Sequence, residues 1–269
     1  RMICDSLRYW ATEMGVDGFR FDLASALARP RGGDFDARAA VFTAITTDPV
    51  LTRLKLIAEP WDATLPGYQL GNIGPQWSEW NDRYRDSVRR FWARGAGIRE
   101  VASRLAGSED LYGRHTRRPW MSINFVTAHD GFTMADLVSY RRKHNEANGE
   151  QGRDGSDNNE SVDHGVEGPT DDPLVVAARA RHVRALVATL LLSTGTPMLL
   201  AGDEFGHSQG GNNNAYCVPA DVPVRDAWPL DWEHADRDLV EFVRQALRLR
   251  KVVPVLRQGR FFDGRARQV

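Results

Sequence analysis

Gly18-Phe19-Arg20-Phe21-Asp22-Leu23 is the stretch on which the fold turns: a short apolar strand that ends in a carboxylate. The same form recurs at Leu54-Lys55-Leu56-Ile57-Ala58-Glu59, where Pro60 stops the run. It recurs again at Ile123-Asn124-Phe125-Val126-Thr127, which leads into Ala128-His129-Asp130-Gly131. Two further strands are expected at Trp77–Asn81 and Pro197–Ala201.

Helical patterns lie between and around these strands. Ile3, Leu7, Tyr9, Trp10 and Met14 recur at helical spacings until Gly15 ends the run. Val41, Phe42, Ile45, Val50, Leu51 and Leu54 mark a second helical stretch, broken at Pro49. Tyr84–Trp92, Leu174–Leu192 and Leu239–Leu249 complete the set, and Asp171, Asp172 and Pro173 mark the start of the long one. Alternating strands and helices imply βαβ units and a parallel α/β sheet. No Gly-rich phosphate loop follows a strand, and ionisable residues gather at strand ends, so a (β/α)8 TIM barrel is favoured over an open doubly wound sheet. Four or five strands against the eight needed for closure make it a partial barrel, with its first strands expected upstream. An incomplete barrel implies open sheet edges and exposed apolar surface.

Composition narrows the function. The 269 residues carry 35 basic and 36 acidic side chains, a formal charge of −1, which gives no electrostatic footprint for nucleic acid. Lys55, Lys143 and Lys251 are the only lysines; every other basic residue is arginine. Two cysteines, Cys4 and Cys217, exclude a disulfide framework and a Cys-based zinc site, and favour a reducing, cytoplasmic setting. The longest uncharged run, Ala185–Gly202, is interrupted by Thr189, Ser193, Thr194, Gly195, Thr196 and Pro197, so no membrane span is expected. Nothing in the sequence marks an oligomeric state.

The strand-end carboxylates Asp22, Glu59 and Asp130 are the candidate reactive groups. Two carboxyl groups about 5–5.5 Å apart serve retaining glycoside hydrolysis, one as nucleophile and the other as acid and then base. The acid must keep its proton near neutral pH, which partial burial and like-charge neighbours favour. Arg20, two residues before Asp22 on the same strand face, favours an ionised Asp22. The same residues also fit strand-end caps, a structural Arg-x-Asp ion pair, or a metal-dependent hydrolase. Trp61, Trp77, Trp80 and Trp92 fit either core packing or stacking on sugar rings.

Taken together, the motifs resemble a known family. Asp17-Gly18-Phe19-Arg20-Phe21-Asp22 resembles the nucleophile motif of the α-amylase family of glycoside hydrolases. Ile57-Ala58-Glu59-Pro60-Trp61 resembles its acid/base motif, and Phe125-Val126-Thr127-Ala128-His129-Asp130 its third-carboxylate motif. Four flanking segments are similar to the glycogen-debranching, isoamylase-type branch: Trp80-Asn81-Asp82-Arg83-Tyr84-Arg85-Asp86, Asn145-Glu146-Ala147-Asn148-Gly149-Glu150, the segment 166–173, and Gly202-Asp203-Glu204-Phe205.

The resemblance implies a retaining mechanism with Asp22 as nucleophile, Glu59 as general acid/base and Asp130 as transition-state stabiliser. Arg20, His129 and Trp61 would contact the substrate, a branched α-glucan such as glycogen, cleaved at α-1,6 linkages without a cofactor. It also implies that residues 1–258 are the C-terminal part of the catalytic barrel and 259–269 the start of a C-terminal β-domain. Other linkage preferences within the family, glycosyl transfer, and a fragment that only binds glucan are the alternatives.

The chain departs from the family pattern in several places. The early Asn-His-bearing strand and the N-terminal β-sandwich have no counterpart. Val218-Pro219-Ala220-Asp221 replaces the usual Gln-Asp-Asn, and Asp163-His164 replaces aromatic-Asn-Cys before Gly165. Asp154, Asp157, Asn158 and Glu160 make an oxygen-rich loop that does not match the calcium-loop pattern, so no metal is assigned.

Overall fold

The computed structural model describes residues 1–30, 33–113, 117–215 and 229–264. Along the chain the elements are α1 (Met2–Thr12), β1 (Gly18–Phe21), α2 (Ala24–Leu27), α3 (Ala40–Thr47), β2 (Lys55–Ala58) and β3 (Ser78–Asn81). They continue with α4 (Asp82–Arg94), α5 (Ile98–Leu105), α6 (Glu109–Tyr112), β4 (Ser122–Asn124) and α7 (Met134–Leu137). The last are α8 (Pro173–Leu192), β5 (Thr196–Pro197) and α9 (Arg237–Val252). The chain packs as two compact units. One comprises residues 1–81, 107–123 and 259–269; the other comprises 82–106 and 124–258.

In the first unit β1 and β2 run parallel, with Gly18 opposite Lys55 and Phe21 opposite Ala58. β3 continues the sheet in parallel, Ile57 facing Ser78 and Ala58 facing Glu79. Gly18 is needed for this approach, because a Cβ there would lie 2.5 Å from the Lys55 carbonyl oxygen. The core gathers Phe21, Phe42, Ile45, Leu51, Leu56, Ala58 and Ile73 around Trp77, whose ring centroid lies 4.9 Å from those of both Phe21 and Phe42. Trp77 is 1% exposed and is therefore a core residue, not a sugar-facing one. On β3, Glu79 is wholly buried against Arg117, with 2.7 Å between Oε1 and Nη1. Its carboxylate also accepts from the Gly71 and Ile73 N–H groups. Burial raises the Glu79 pKa, and the Arg117 charge opposes that rise.

The second unit is built on α4, α8 and α9. α8 buries Val183, Leu186, Val187, Leu190 and Leu191, a helical stripe packed with Tyr84, Val88, Leu239 and Val243. Its start is as the sequence implies: Asp172 caps Leu174 N–H at 2.8 Å and Pro173 occupies the first turn. At its other end Arg250 of α9 donates to the Leu191 and Ser193 carbonyls at 2.9 and 2.6 Å, satisfying groups a helix terminus leaves open.

Two strands are shorter than the apolar runs that encode them. β4 stops at Asn124, although Phe125, Val126 and Thr127 stay buried. The Val126 carbonyl accepts from Arg89 Nε at 2.7 Å instead of from a neighbouring strand. β5 ends at Pro197. Met198 N–H still donates to the Asn124 carbonyl at 2.7 Å, and the chain then turns, Asp203 N–H bonding the Leu200 carbonyl. Among the described residues no helix is long and apolar enough to cross a membrane.

Candidate active site

The C-terminal ends of β1 and β2 set two carboxylates side by side. The parallel ladder continues past the regular strands: Glu59 N–H donates to the Phe21 carbonyl at 3.0 Å, and Ala24 N–H to the Glu59 carbonyl at 2.9 Å. Asp22 and Glu59 are thereby tied through the backbone before any side chain is considered. Leu23 sits in the left-handed region at φ +41°, a conformation costing a non-glycine residue roughly 1–2 kcal/mol. Its N–H donates to Glu59 Oε2 at 2.7 Å. The strained turn thus holds the Glu59 side chain as well as redirecting the chain.

Arg20 joins the pair. Its Nη1 donates to Asp22 Oδ1, and its Nη2 lies 3.1 Å from Glu59 Oε2. The guanidinium stacks over Trp80, 4.3 Å from the ring centroid. The carboxylates differ in access: the Asp22 side chain is 71% exposed and that of Glu59 is 6%. Burial drives the Glu59 pKa up, the Leu23 N–H and the Arg20 charge pull it down, and the neighbouring Asp22 pushes it up again; the net shift is upward. One accessible carboxylate thus lies beside a sheltered carboxyl biased toward its protonated form. That pairing suits nucleophile and proton donor.

Trp61 follows Pro60 and is half-buried. The next residue, Asp62, anchors that segment: its Oδ2 accepts from Ser25 Oγ at 2.8 Å and Arg29 Nε at 2.9 Å. Burial acts upward on the Asp62 pKa, but bonds from Thr64, Arg29 and Ser25 outweigh it and hold this carboxylate far below its usual range.

In the second unit His129 and Asp130 are adjacent, with 4.0 Å between Nδ1 and Oδ1, and both side chains are about half exposed. Asp130 lines a cleft of about 280 Å³ with Arg85, Asp86 and Arg89. Arg85 donates to Asp86 at 2.6 Å and packs over Phe125. Both arginines lie on α4, Arg85 within the Trp80–Asp86 segment and Arg89 one turn beyond it. Trp92, on α4, donates from Nε1 to Thr189 Oγ1 at 3.0 Å.

The oxygen-rich loop is occupied by its own bonds. Asp154 Oδ2 accepts from Asn145, Asn148 and Asn214, while Asp157 pairs with Lys143 at 2.8 Å. Glu160 pairs with Arg90 and Arg94. No grouping of acidic, His or Cys side chains suited to a metal occurs among the described residues. Cys217 and the Val218–Asp221 departure lie outside the described residues.

No family model matches the chain. It is 56% identical over 268 residues to the "glycogen operon protein GlgX homolog" of Mycobacterium tuberculosis, a match covering 98% of this chain and 36% of that protein. It is 51% identical over 260 residues to the glycogen debranching enzyme of Erwinia tasmaniensis, covering 96% of this chain and 38% of that one. Among solved structures, the type I pullulanase of Bacillus subtilis complexed with maltose superposes with a TM-score of 0.67 at 26% identity, over 96% of this chain and 33% of that one. The chain thus spans about a third of the length of each of these proteins.

Proposed function

We propose that this chain, homologous along nearly all its length to a segment of the glycogen debranching enzymes, carries the reactive carboxylates of a retaining α-glucan hydrolase. The linkage opened is the α-1,6 branch point of glycogen or a related glucan. Asp22 attacks the anomeric carbon while Glu59 delivers its proton to the departing O6, leaving a glycosyl ester on Asp22. The ionised Glu59 then takes a proton from water, whose oxygen attacks the same carbon and frees Asp22. Asp130 supplies negative charge to the oxocarbenium-like transition state, and Arg20, His129 and Trp61 contact the sugar. The setting we assign to it is the cytoplasm, which its cysteine usage favours.

The observation that carries this reading is the unequal pair at the ends of β1 and β2. Asp22 is open and Glu59 sheltered, and a single guanidinium bridges them. Its experiment is Glu59→Gln in the full-length natural polypeptide, assayed by reducing-end release from glycogen and from linear amylose. The reading requires release from glycogen by the unsubstituted protein and loss of most of it in the variant.

A further inference from the structure

We infer that Asp203 is a positioning residue for Asp130, holding from both sides the turn that carries it. The inference rests on the reading of Asp130 as a functional carboxylate. Thr127 Oγ1 donates to Asp203 Oδ2 on the near side of that turn, and Met134 N–H donates to Asp203 Oδ1 at 2.8 Å on the far side. One carboxyl group therefore spans the segment containing His129 and Asp130. Thr127, Met134 and Asp203 are all buried, so water does not compete for these bonds.

The anchoring is reciprocal. Asp136, just past the same turn, accepts from Ser208 Oγ at 2.5 Å and from Gln209 N–H at 2.8 Å. Each of the two segments thus holds the other through one buried carboxyl group. His129 and Asp130 stand about half exposed in the turn between these two anchored flanks, so a shift of either flank moves the Asp130 carboxylate. Burial raises the Asp203 pKa to about 7, against the pull of Thr127 and Met134 N–H and aided by the charge of Asp136. A neutral, hydrogen-bonding side chain at this position is therefore a close substitute, and asparagine is the conservative variant.

The test uses the full-length polypeptide with a branched α-glucan and compares Asp203→Ala, Asp203→Asn and Thr127→Val, each alone and combined with Asp130→Ala. The expected result is a fall in kcat of about tenfold or more for Asp203→Ala with little change in KM, as for displacement of a reacting group. Asp203→Asn restores most of the loss, and Asp203→Ala adds nothing once Asp130 is alanine. Thr127→Val, which removes one anchor only, gives a smaller loss that likewise vanishes without Asp130, and it serves should Asp203→Ala not fold. Equal fold-losses with and without Asp130, or an effect on KM alone, overturn the inference and leave the reading of Asp130 standing. Near-normal turnover by Asp130→Ala itself overturns both.

Discussion

The Arg20 guanidinium lies 3.1 Å from Glu59 Oε2 while donating to Asp22, so one cation serves a sheltered and an exposed carboxylate. The two neighbours act on Glu59 in opposite directions: Arg20 favours its ionised form and Asp22 its protonated form. Burial is the largest influence and, with Asp22, raises the Glu59 pKa against the pull of Arg20.

Arg20→Met removes the positive charge that favours ionised Glu59, so the Glu59 pKa rises further. The alkaline limb of the kcat/KM profile on a branched glucan is expected to move to higher pH, with a loss of rate of about tenfold or more. Arg20→Lys keeps the charge and loses the forked geometry, so the limb stays near its place while the rate still falls. A limb that does not move in Arg20→Met contradicts the assignment of Glu59 as the proton donor.

Trp77 and Trp61 should separate cleanly. Trp77→Ala opens a cavity among Phe21, Phe42 and Leu56 and should cost about 3–5 kcal/mol in denaturant unfolding. Trp61→Ala removes a half-buried ring two residues after Glu59; its effect should fall on KM for the glucan, with stability within about 1 kcal/mol. The reverse pattern would mean that the ring contacting sugar has been misplaced.

Arg117→Met strands the wholly buried Glu79 carboxylate and should destabilise the protein by about 3–5 kcal/mol. Adding Glu79→Gln to that variant should recover part of the loss, since the uncompensated charge is then gone. Urea melts of the four proteins measure both steps, and a fully additive cycle would show that the pair is not coupled.

Asp203 gives a pH signature. Its folded pKa of about 7 lies above the usual carboxylate range, so the folded state holds this proton more tightly than the unfolded chain does. The associated stability is complete below about pH 4 and is lost as pH rises through about 7. Asp203→Asn cannot lose a proton there, so the melting temperature of the variant minus that of the parent should grow between pH 4 and pH 8. A difference independent of pH would place the Asp203 pKa near its ordinary value.

Much of this was legible in the sequence because it depends on local pattern. Gly18–Leu23 and Leu54–Glu59 announce strands ending in carboxylates, and those strands pair in parallel with Asp22 and Glu59 at their ends. Asp172-Pro173 announces the start of α8. What local pattern does not contain is how far a buried apolar run continues as ladder. Val126 and Thr127 are as apolar or β-branched as strand residues usually are, but their partners are Arg89 and Asp203, which lie far away in sequence. For the same reason Trp77, Trp80 and Trp61 could not be told apart by composition: burial, an arginine stack and partial exposure each come from tertiary contacts. α5 lacks a long apolar run and follows Gly95 and Gly97, so helical periodicity there is short. Gly202-Asp203-Glu204-Phe205 was visible as a motif, while the bonds Asp203 makes across the fold were not.

In the proposed mechanism Asp22 forms a covalent bond to the sugar. The most direct measurement incubates the full-length polypeptide with a fluorinated α-maltosyl fluoride, a donor that forms its enzyme ester faster than the ester hydrolyses, and maps the adduct by peptide mass spectrometry. The account predicts one glycosyl group, on the peptide containing Gly18–Leu23, attached at Asp22, with α-configured product released first from unmodified substrate. A label on Glu59 or Asp130, or first release of the β-anomer, would contradict it.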